Sequence, residues 1–212
     1  TIIRVGENPD DISYEKGATK KLTSFGLEVE SKVFPGDISD EAFKKEFAAI
    51  NADASVDGIL MLRPLPKQIN EQDIEKMIDP AKDLDGISPV NIAKVFSGDT
   101  SGFAPCTAEA VVCMLKMNDI ALSGKRVAVV GRSMVVGRPL SMLLLHENAT
   151  VTICHSRTAS LPEVCREADI LTACVGKAAM INHTYVKKDA VVIDVGINVD
   201  ENGKLCGDVD FA

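Results

Sequence analysis

Long apolar runs and an excess of basic residues are both missing from this sequence of 212 residues. No apolar run approaches the roughly 20 residues that a membrane-spanning helix needs. The chain opens directly on a strand-like run at residues 1–6, so the sequence predicts no signal peptide. The formal net charge is −8, whereas a non-specific nucleic-acid binder needs a basic face. We therefore expect a cytoplasmic protein that binds neither membranes nor nucleic acids, although a local basic pocket could still hold a small anion.

Clustered metal ligands are missing as well. The three histidines are scattered along the chain, and no two of the six cysteines form a CxxC pair. Most of the cysteines lie in apolar runs, where reduced, buried thiols are the ordinary finding. The sequence therefore predicts no zinc site and no other metal site. The cysteines are Cys106, Cys113, Cys154, Cys165, Cys174 and Cys206.

Short β-branched runs alternate with helical patterns along the whole chain. This alternation predicts an α/β fold with mostly parallel sheets. We expect strands at 1–6, 27–34, 56–62, 126–130, 149–154, 170–175 and 190–195, and helices at 11–25, 39–51, 70–78 and 107–118. In the helix at 39–51, Ser39 suits the N-cap position, and one face carries Ala42, Phe43, Phe47 and Ile50. Residues 79–106 are expected to be a long irregular segment; a segment of that length is usually functional or disordered, and its apolar residues favour a functional one.

A glycine-flanked turn follows the strand at 126–130. Gly131 and Gly137 enclose it, and Pro139 suits the first turn of the helix that comes next. A turn between a parallel strand and a helix is where a Rossmann domain holds a pyrophosphate, because backbone N–H groups and the helix dipole face the anion. The two glycines are six residues apart, so the spacing is not GxGxxG. Alone, the turn could equally be an ordinary βα loop.

The end of the next strand indicates which dinucleotide is bound. An NAD-binding unit usually places an acidic residue there, which binds the ribose hydroxyls. Here the segment 154–158 has no carboxylate but contains Ser156 and Arg157, which suit a phosphate on the ribose. Arg132 could reach the same phosphate from the glycine turn. This chemistry favours NADP over NAD; the alternative is a solvated loop with an incidental arginine. We expect His155 to pack beside the adenine end of the nucleotide rather than to act in catalysis.

Several motifs together resemble one family, the methylenetetrahydrofolate dehydrogenase/cyclohydrolases. They occur in the family's order over essentially the whole chain, which makes the resemblance specific. The matching segments are Val5-Gly6, Ser13-Tyr14, Asp57-Gly58-Ile59-Leu60, Pro64-Leu65-Pro66, Lys82-Asp83-Leu84-Asp85-Gly86, Pro105-Cys106-Thr107, 130–133, 136–139, Cys154-His155-Ser156, Ala168-Asp169-Ile170, 192–198 and 207–211.

The resemblance implies two α/β domains with a cleft between them: a folate-binding catalytic domain at 1–119 and a Rossmann-type NADP-binding domain with a parallel sheet at 120–212. It implies oxidation of methylene-tetrahydrofolate with NADP in one-carbon metabolism. It also implies a homodimer paired through the second domain, where Asn202-Gly203 is a hairpin turn signal. Because the family has a helix before residue 1 and a Pro- and Gly-rich segment after residue 212, we expect further residues at both ends.

The resemblance also implies the site residues. Tyr14 would stack on the folate, and Asp85 would accept hydrogen bonds from two adjacent N–H groups of the pteridine ring. Their alternatives are a half-buried tyrosine on a helix face and a turn-forming aspartate before Gly86. Pro64 and Leu65 would contact the substrate. The residues implied to bind the cofactor are Gly131, Arg132, Ser133, Val136, Gly137, Pro139, Ser156, Arg157, Gly176 and Ile197.

Two positions depart from the family. Its bifunctional members have a lysine four residues after the tyrosine and a glutamine at the end of the third strand, and both serve the cyclohydrolase step. Here these positions hold Ala18 and Leu62. Lys20 matches a second, less important lysine, whereas Lys21 lies about 300° around the helix from Ala18. We therefore expect a dehydrogenase with little or no cyclohydrolase activity, because hydrolysis needs proton transfers that alanine and leucine cannot make.

Three other readings stay open. The chain could be a bifunctional enzyme in which Lys21 or another group replaces the missing lysine. It could be a non-catalytic folate- or nucleotide-binding protein, which the glycine turn and Asp85 disfavour. It could be a dehydrogenase of another substrate, which would leave Tyr14 and Asp85 together unexplained.

Overall fold

The computed structural model describes residues 1–211 of the chain, and its contacts divide into two compact units. Unit 1 comprises Thr1–Ala93 with Ser101–Phe103, and unit 2 comprises Lys94–Thr100 with Ala104–Ala212. This division lies earlier in the chain than the boundary expected between residues 119 and 120. The helix α5 (Cys106–Met117) accounts for the difference, because its buried face packs in the core of unit 2.

Unit 1 is built on a parallel sheet. Its strands are β1 (Ile2–Val5), β2 (Ser31–Phe34) and β3 (Leu60–Met61), in the order β2-β1-β3. Residues 82–84 extend the sheet, since Ile59 and Asp83 form a parallel bridge beside β3. The helices are α1 (Pro9–Ser24), α2 (Asp40–Ala52), α3 (Glu71–Met77) and α4 (Pro89–Ser97), the last of which crosses the division between the units.

The helix α2 shows how the sequence pattern produces the core of unit 1. Ser39 caps it, because its hydroxyl accepts a hydrogen bond from the Ala42 backbone N–H at 3.2 Å. Phe43 and Phe47 are completely buried. Ala42, which was expected on the same face, is exposed instead, because it lies in the first turn at the edge of that face.

The sequence predicted that the segment 79–106 is irregular. This prediction is wrong for part of the segment, because it contains the helix α4. Ser88 accepts a hydrogen bond from the Asn91 backbone N–H at 3.1 Å, and Pro89 is the first helical residue. Proline is well tolerated there because that N–H has no partner within a helix. The short helix α7 (Leu161–Arg166) was not expected either.

Unit 2 contains the second parallel sheet. Its strands are β4 (Arg126–Val130), β5 (Thr150–Cys154), β6 (Ile170–Ala173) and β7 (Val191–Asp194), in the order β5-β4-β6-β7. The two central strands, β4 and β6, are the most deeply buried, as is typical of strands inside a parallel sheet that helices cover. The helix α6 (Gly137–His146) and α5 cover one face. The expected α/β fold with parallel sheets is thus confirmed.

A hairpin near the end of unit 2 is formed by β8 (Asn198–Val199) and β9 (Leu205–Cys206). Asp200 and Lys204 close a loop of three residues, rather than the two that Asn202-Gly203 had suggested. Gly203 has a φ of +76°, as the left-handed position of such a loop requires. Within residues 1–211, no helix has the length and apolar character that a membrane crossing demands.

Candidate functional site

The predicted folate residues follow three neighbouring parallel strands of unit 1. The helix α1, with Tyr14, follows β1; Pro64 and Leu65 follow β3; and Asp85 follows the segment 82–84 beside β3. The carboxyl ends of parallel strands lie at one edge of a sheet, where α/β proteins bind their ligands. The topology therefore brings Tyr14, Pro64, Leu65 and Asp85 to the same edge.

Asp85 lies beside a half-buried cation, Arg63. A carboxylate oxygen of Asp85 is 3.7 Å from a guanidinium nitrogen of Arg63. Burial raises the pKa of the Asp85 carboxyl above its usual value, and the positive charge of Arg63 only partly opposes this shift. A carboxylate kept partly out of water in this way can accept strong hydrogen bonds from a ligand.

The turn that carries Asp85 is stabilised by Asp83. Asp83 is completely buried, and its carboxylate accepts hydrogen bonds from the backbone N–H groups of Ile87 at 3.0 Å and Ser88 at 2.8 Å. The side-chain amide of Asn91 donates a third bond to it at 2.9 Å. The role of a turn-forming aspartate thus belongs to Asp83, which leaves the Asp85 carboxylate directed at Arg63.

Sequence reasoning missed the acidic partners of Arg63. Its guanidinium lies 3.3 Å from a carboxylate oxygen of Glu71 and 3.3 Å from one of Glu75. The second oxygen of Glu71 accepts the Leu65 backbone N–H at 3.1 Å, which secures the loop that follows the cis Arg63–Pro64 bond. The only sequence signal was the spacing of Glu71 and Glu75, which places both on one face of α3.

The two positions that depart from the family differ in their surroundings. Leu62 is buried and Ala18 is half-buried on α1, whereas the Tyr14 ring is 60% exposed. Lys21, the first alternative to the missing lysine, extends towards the end of α1, where its ammonium lies 5.0 Å from the centre of the Phe25 ring. Exposure of Tyr14 disfavours the reading of that residue as a core tyrosine.

In unit 2, a cavity of about 470 Å³ opens at the carboxyl edge of the sheet. It lies where the chain leaves β4, β5 and β6. Two cationic residues, Arg132 and Lys177, contribute to its wall, together with three hydroxyl residues, Ser133, Ser156 and Thr158. The wall also contains Val130, Gly131, His155, Leu161, Cys174, Val175 and Met180. A cavity with this lining can hold an adenosine whose ribose carries a phosphate.

The two glycines that bracket the turn after β4 approach the backbone too closely for a side chain. A Cβ on Gly131 would overlap with the carbonyl oxygen of Cys174, and one on Gly137 would overlap with the carbonyl oxygen of Gly131. Gly131 also has a φ of +133°, which side chains disfavour. Inside the turn, the Ser133 hydroxyl accepts the Val136 backbone N–H at 3.1 Å. The two glycines are six residues apart, but they allow the close backbone approach that GxGxxG also provides.

The structure brings together some of the predicted cofactor residues. Gly131, Arg132, Ser133 and Ser156 line the cavity. The lining does not include the remaining predicted residues, Val136, Gly137, Pro139, Arg157, Gly176 and Ile197. His155 also lines the cavity, and its place beside the adenine end stays a prediction. Lys177 was missed, although it directly follows the predicted Gly176.

The thiol of Cys174 belongs to the wall of the cavity in unit 2. Burial, with a smaller contribution from the charge of Asp208, raises the pKa of the Cys174 thiol to about 11, so this cysteine is neutral at pH 7. No group of three or more His, Cys, Asp or Glu side chains in residues 1–211 could hold a metal ion.

Comparisons with known proteins cover both units. The model of the tetrahydrofolate dehydrogenase/cyclohydrolase catalytic domain matches residues 1–85, and that of the NAD(P)-binding domain matches residues 105–212. A protein of Clostridium kluyveri called bifunctional protein FolD is 54% identical over 210 residues, which are 99% of this chain and 74% of the relative.

Two solved structures are similar over the same extent. The bifunctional enzyme FolD of Campylobacter jejuni, a methylenetetrahydrofolate dehydrogenase/cyclohydrolase, matches with a TM-score of 0.96 and 37% identity over 99% of this chain and 74% of that one. The Trypanosoma brucei methylenetetrahydrofolate dehydrogenase-cyclohydrolase, complexed with NADP and an inhibitor, matches with a TM-score of 0.92 and 32% identity over the same shares.

Proposed function

The chain belongs to the tetrahydrofolate dehydrogenase/cyclohydrolase family, and from this premise we propose that it is an NADP-dependent methylenetetrahydrofolate dehydrogenase of one-carbon metabolism. The observation that carries the proposal is the cavity after β4 and β5, beside the turn where two glycines admit close backbone approach, with the cation of Arg132 and the hydroxyl of Ser156 in its wall. Its residues fit NADP, which supplies the hydride acceptor when bound. Location in the cytoplasm stays a prediction.

The residues of the chain hold the substrate rather than react with it. The hydride leaves the one-carbon bridge of methylene-tetrahydrofolate as the oxidised bridge of the methenyl product forms, and no proton need be transferred at that carbon. Asp85 accepts hydrogen bonds from the pteridine ring, Tyr14 stacks on the folate, and Pro64 and Leu65 contact it. Orientation of this kind is the main catalytic contribution that a protein makes to hydride transfer.

A bifunctional dehydrogenase/cyclohydrolase is the second candidate, because the relatives are called bifunctional. Against it stand Ala18 and the buried Leu62, which occupy the positions of the family's lysine and glutamine. Neither side chain can activate water or protonate a ring nitrogen. We therefore propose that the dehydrogenase step is retained and that cyclohydrolase activity is weak or lost.

Cofactor choice is the first property to test. In the variant Arg132→Ala with Ser156→Ala, we expect the ratio of kcat/KM for NADP to kcat/KM for NAD to decrease. A charge-assisted contact to phosphate contributes roughly 1.5–3 kcal/mol, so each loss should weaken NADP about ten- to a hundredfold and leave NAD unchanged. The measurement is kcat/KM with each nucleotide.

Arg138→Ala is the matched control for cofactor choice. Arg138 lies in the first turn of α6, directly after the glycine turn, but its guanidinium contacts the sulfur of Met134 and it is not part of the cavity wall. We expect this variant to keep the preference of the unmodified protein. Equal turnover with NAD and NADP in the unmodified protein would contradict the proposal.

We also propose that the protein is a homodimer paired through unit 2. The hairpin of β8 and β9 presents exposed apolar side chains, with Val199 64% and Leu205 70% exposed, and a short hairpin edge can pair across a two-fold axis. Light scattering should give twice the mass of the chain at micromolar concentration, and Val199→Lys with Leu205→Lys should shift the mass towards that of one chain. A single-chain mass for the unmodified protein would contradict this.

A further inference from the structure

A buried aspartate holds the loop that follows β6. Asp208 is completely buried, and its carboxylate accepts hydrogen bonds from three consecutive backbone N–H groups: Val175 at 2.6 Å, Gly176 at 3.1 Å and Lys177 at 2.8 Å. The side-chain amide of Asn198 donates a fourth at 2.9 Å. Three successive N–H groups form an anion-binding concavity, and here a side chain of the chain itself occupies it.

Asp194 forms a second bridge of the same kind. Its carboxylate accepts the backbone N–H groups of Gly196 at 3.0 Å, Asp208 at 2.9 Å and Val209 at 3.0 Å. A Cβ on Gly196 would overlap with the Asp208 carboxylate, and one on Gly207 would overlap with the carboxylate of Asp194. The two carboxylates and the two glycines therefore lock the loops after β6 and β7 to the segment 207–209.

We infer that Asp208 is a positioning residue for the nucleotide site, and that Asp194 holds it in place. The loop that Asp208 binds supplies part of the cavity wall, because Val175 and Lys177 line the cavity. The inference rests on the proposed function, since it takes NADP as the occupant of that cavity. Asp208 touches none of the cavity itself, so its effect on the nucleotide must pass through the backbone of 175–177.

The hydrogen bonds between Asp208 and the loop depend on the negative charge of its carboxylate. Burial opposes ionisation, but the hydrogen bonds from Asn198 and from the three backbone N–H groups outweigh it, so the pKa of Asp208 is held below its usual value. Asp208→Asn preserves the shape of the side chain but replaces one acceptor oxygen with an N–H donor. At least one backbone N–H of the loop would then face another donor, and the loop would move or loosen.

The test compares Asp208→Asn with Asp169→Asn. Asp169 also accepts a backbone N–H, that of Arg126 at 2.9 Å, and pairs with Lys187 at 2.7 Å, but it lies at the amino ends of β4 and β6. Equilibrium titration with NADP and the unfolding temperature without ligand are measured for both. We expect Asp208→Asn to weaken NADP binding tenfold or more and Asp169→Asn to change it less than twofold, although both variants unfold at a lower temperature.

The inference about Asp208 and the proposed function would be overturned by different results of these measurements. NADP binding by Asp208→Asn as tight as that of the unmodified protein would overturn the inference alone, whereas failure of the unmodified protein to bind NADP would overturn the proposed function as well. If Asp208→Asn cannot be purified folded, Asn198→Ala decides, because it removes one donor to the same carboxylate. A two- to fivefold weaker NADP affinity supports the inference, and an unchanged affinity overturns it.

Discussion

Asp85→Ala is expected to weaken folate binding by about a hundred- to ten-thousandfold while NADP binding stays within twofold. On the proposed role, the substitution removes the acceptor of two hydrogen bonds from the pteridine ring, and a hydrogen bond to a charged group contributes roughly 1.5–3 kcal/mol. The cavity proposed for NADP is lined by residues of unit 2, whereas Asp85 belongs to unit 1. Separate equilibrium titrations with NADP and with folic acid, which does not react, measure the two effects.

Asp79→Ala is the matched control for this experiment. The Asp79 carboxylate accepts the Ala81 backbone N–H at 2.9 Å, so it forms a turn in the same segment without facing Arg63. If Asp85 were only a turn residue, both variants would lose a similar, small amount of folate affinity. A folate affinity of Asp85→Ala near that of the unmodified protein would show that Asp85 does not bind the pteridine ring.

The raised pKa of Asp85 adds a second readout to the same experiment. Burial disfavours the ionised form in the folded protein, so ionisation of Asp85 at neutral pH costs stability, and Asp85→Asn should unfold at an equal or higher temperature. Folate binding has the opposite requirement, because it needs the ionised form. Folate affinity should therefore fall, as pH decreases, at a higher pH than the value of about 3.9 typical of an aspartate. In Asp85→Asn this pH dependence should be absent.

The double variant Ala18→Lys with Leu62→Gln is expected to gain cyclohydrolase activity. General acid–base catalysis contributes typically 10²–10⁴-fold, and the two substitutions restore the lysine and glutamine that the family uses for this step. The gain should approach the lower end of that range, because a catalytic pair also depends on the neighbours that position it, and the double variant leaves those unchanged. The decay of methenyl-tetrahydrofolate, followed by its absorbance, measures the effect against the unmodified protein.

The single variants and Lys21→Ala serve as controls for the restored activity. Leu62 is buried, so Leu62→Gln alone leaves an amide with few partners and should lower stability without adding hydrolysis. Lys21→Ala tests the alternative lysine and should change nothing, because that ammonium lies over Phe25. If Lys21→Ala abolished a measurable hydrolysis by the unmodified protein, the alternative reading would be correct.

Features that arise from short-range patterns could be predicted from the sequence. The apolar runs at β4 and β6 predicted buried parallel strands, and Ser39 with Phe43 and Phe47 predicted the cap and the core face of α2. The glycine turn at 131–137 and the segment after β5 predicted the place of the nucleotide cavity, because both follow directly on their strands.

Features that depend on contacts between distant residues could not be predicted. Asp208 lies more than 30 residues beyond the loop at 175–177 that it binds, and no local pattern connects them. Arg63 likewise meets Glu75 only once α3 has packed beside the end of β3. The helix α4 was missed for a different reason: its proline and the glycines around it resemble a loop, whereas Ser88 and Pro89 in fact start the helix.

The central claim is that this protein oxidises methylene-tetrahydrofolate with NADP and leaves the methenyl product unhydrolysed. One reaction containing purified protein, methylene-tetrahydrofolate and NADP, followed at the wavelengths of NADPH and methenyl-tetrahydrofolate, tests it most directly. We expect both signals to rise together in equal molar amounts, and the methenyl signal then to decay no faster than in buffer alone. The account would be contradicted if NADPH formed and the methenyl signal then decayed well above the spontaneous rate. It would also be contradicted if no NADPH formed.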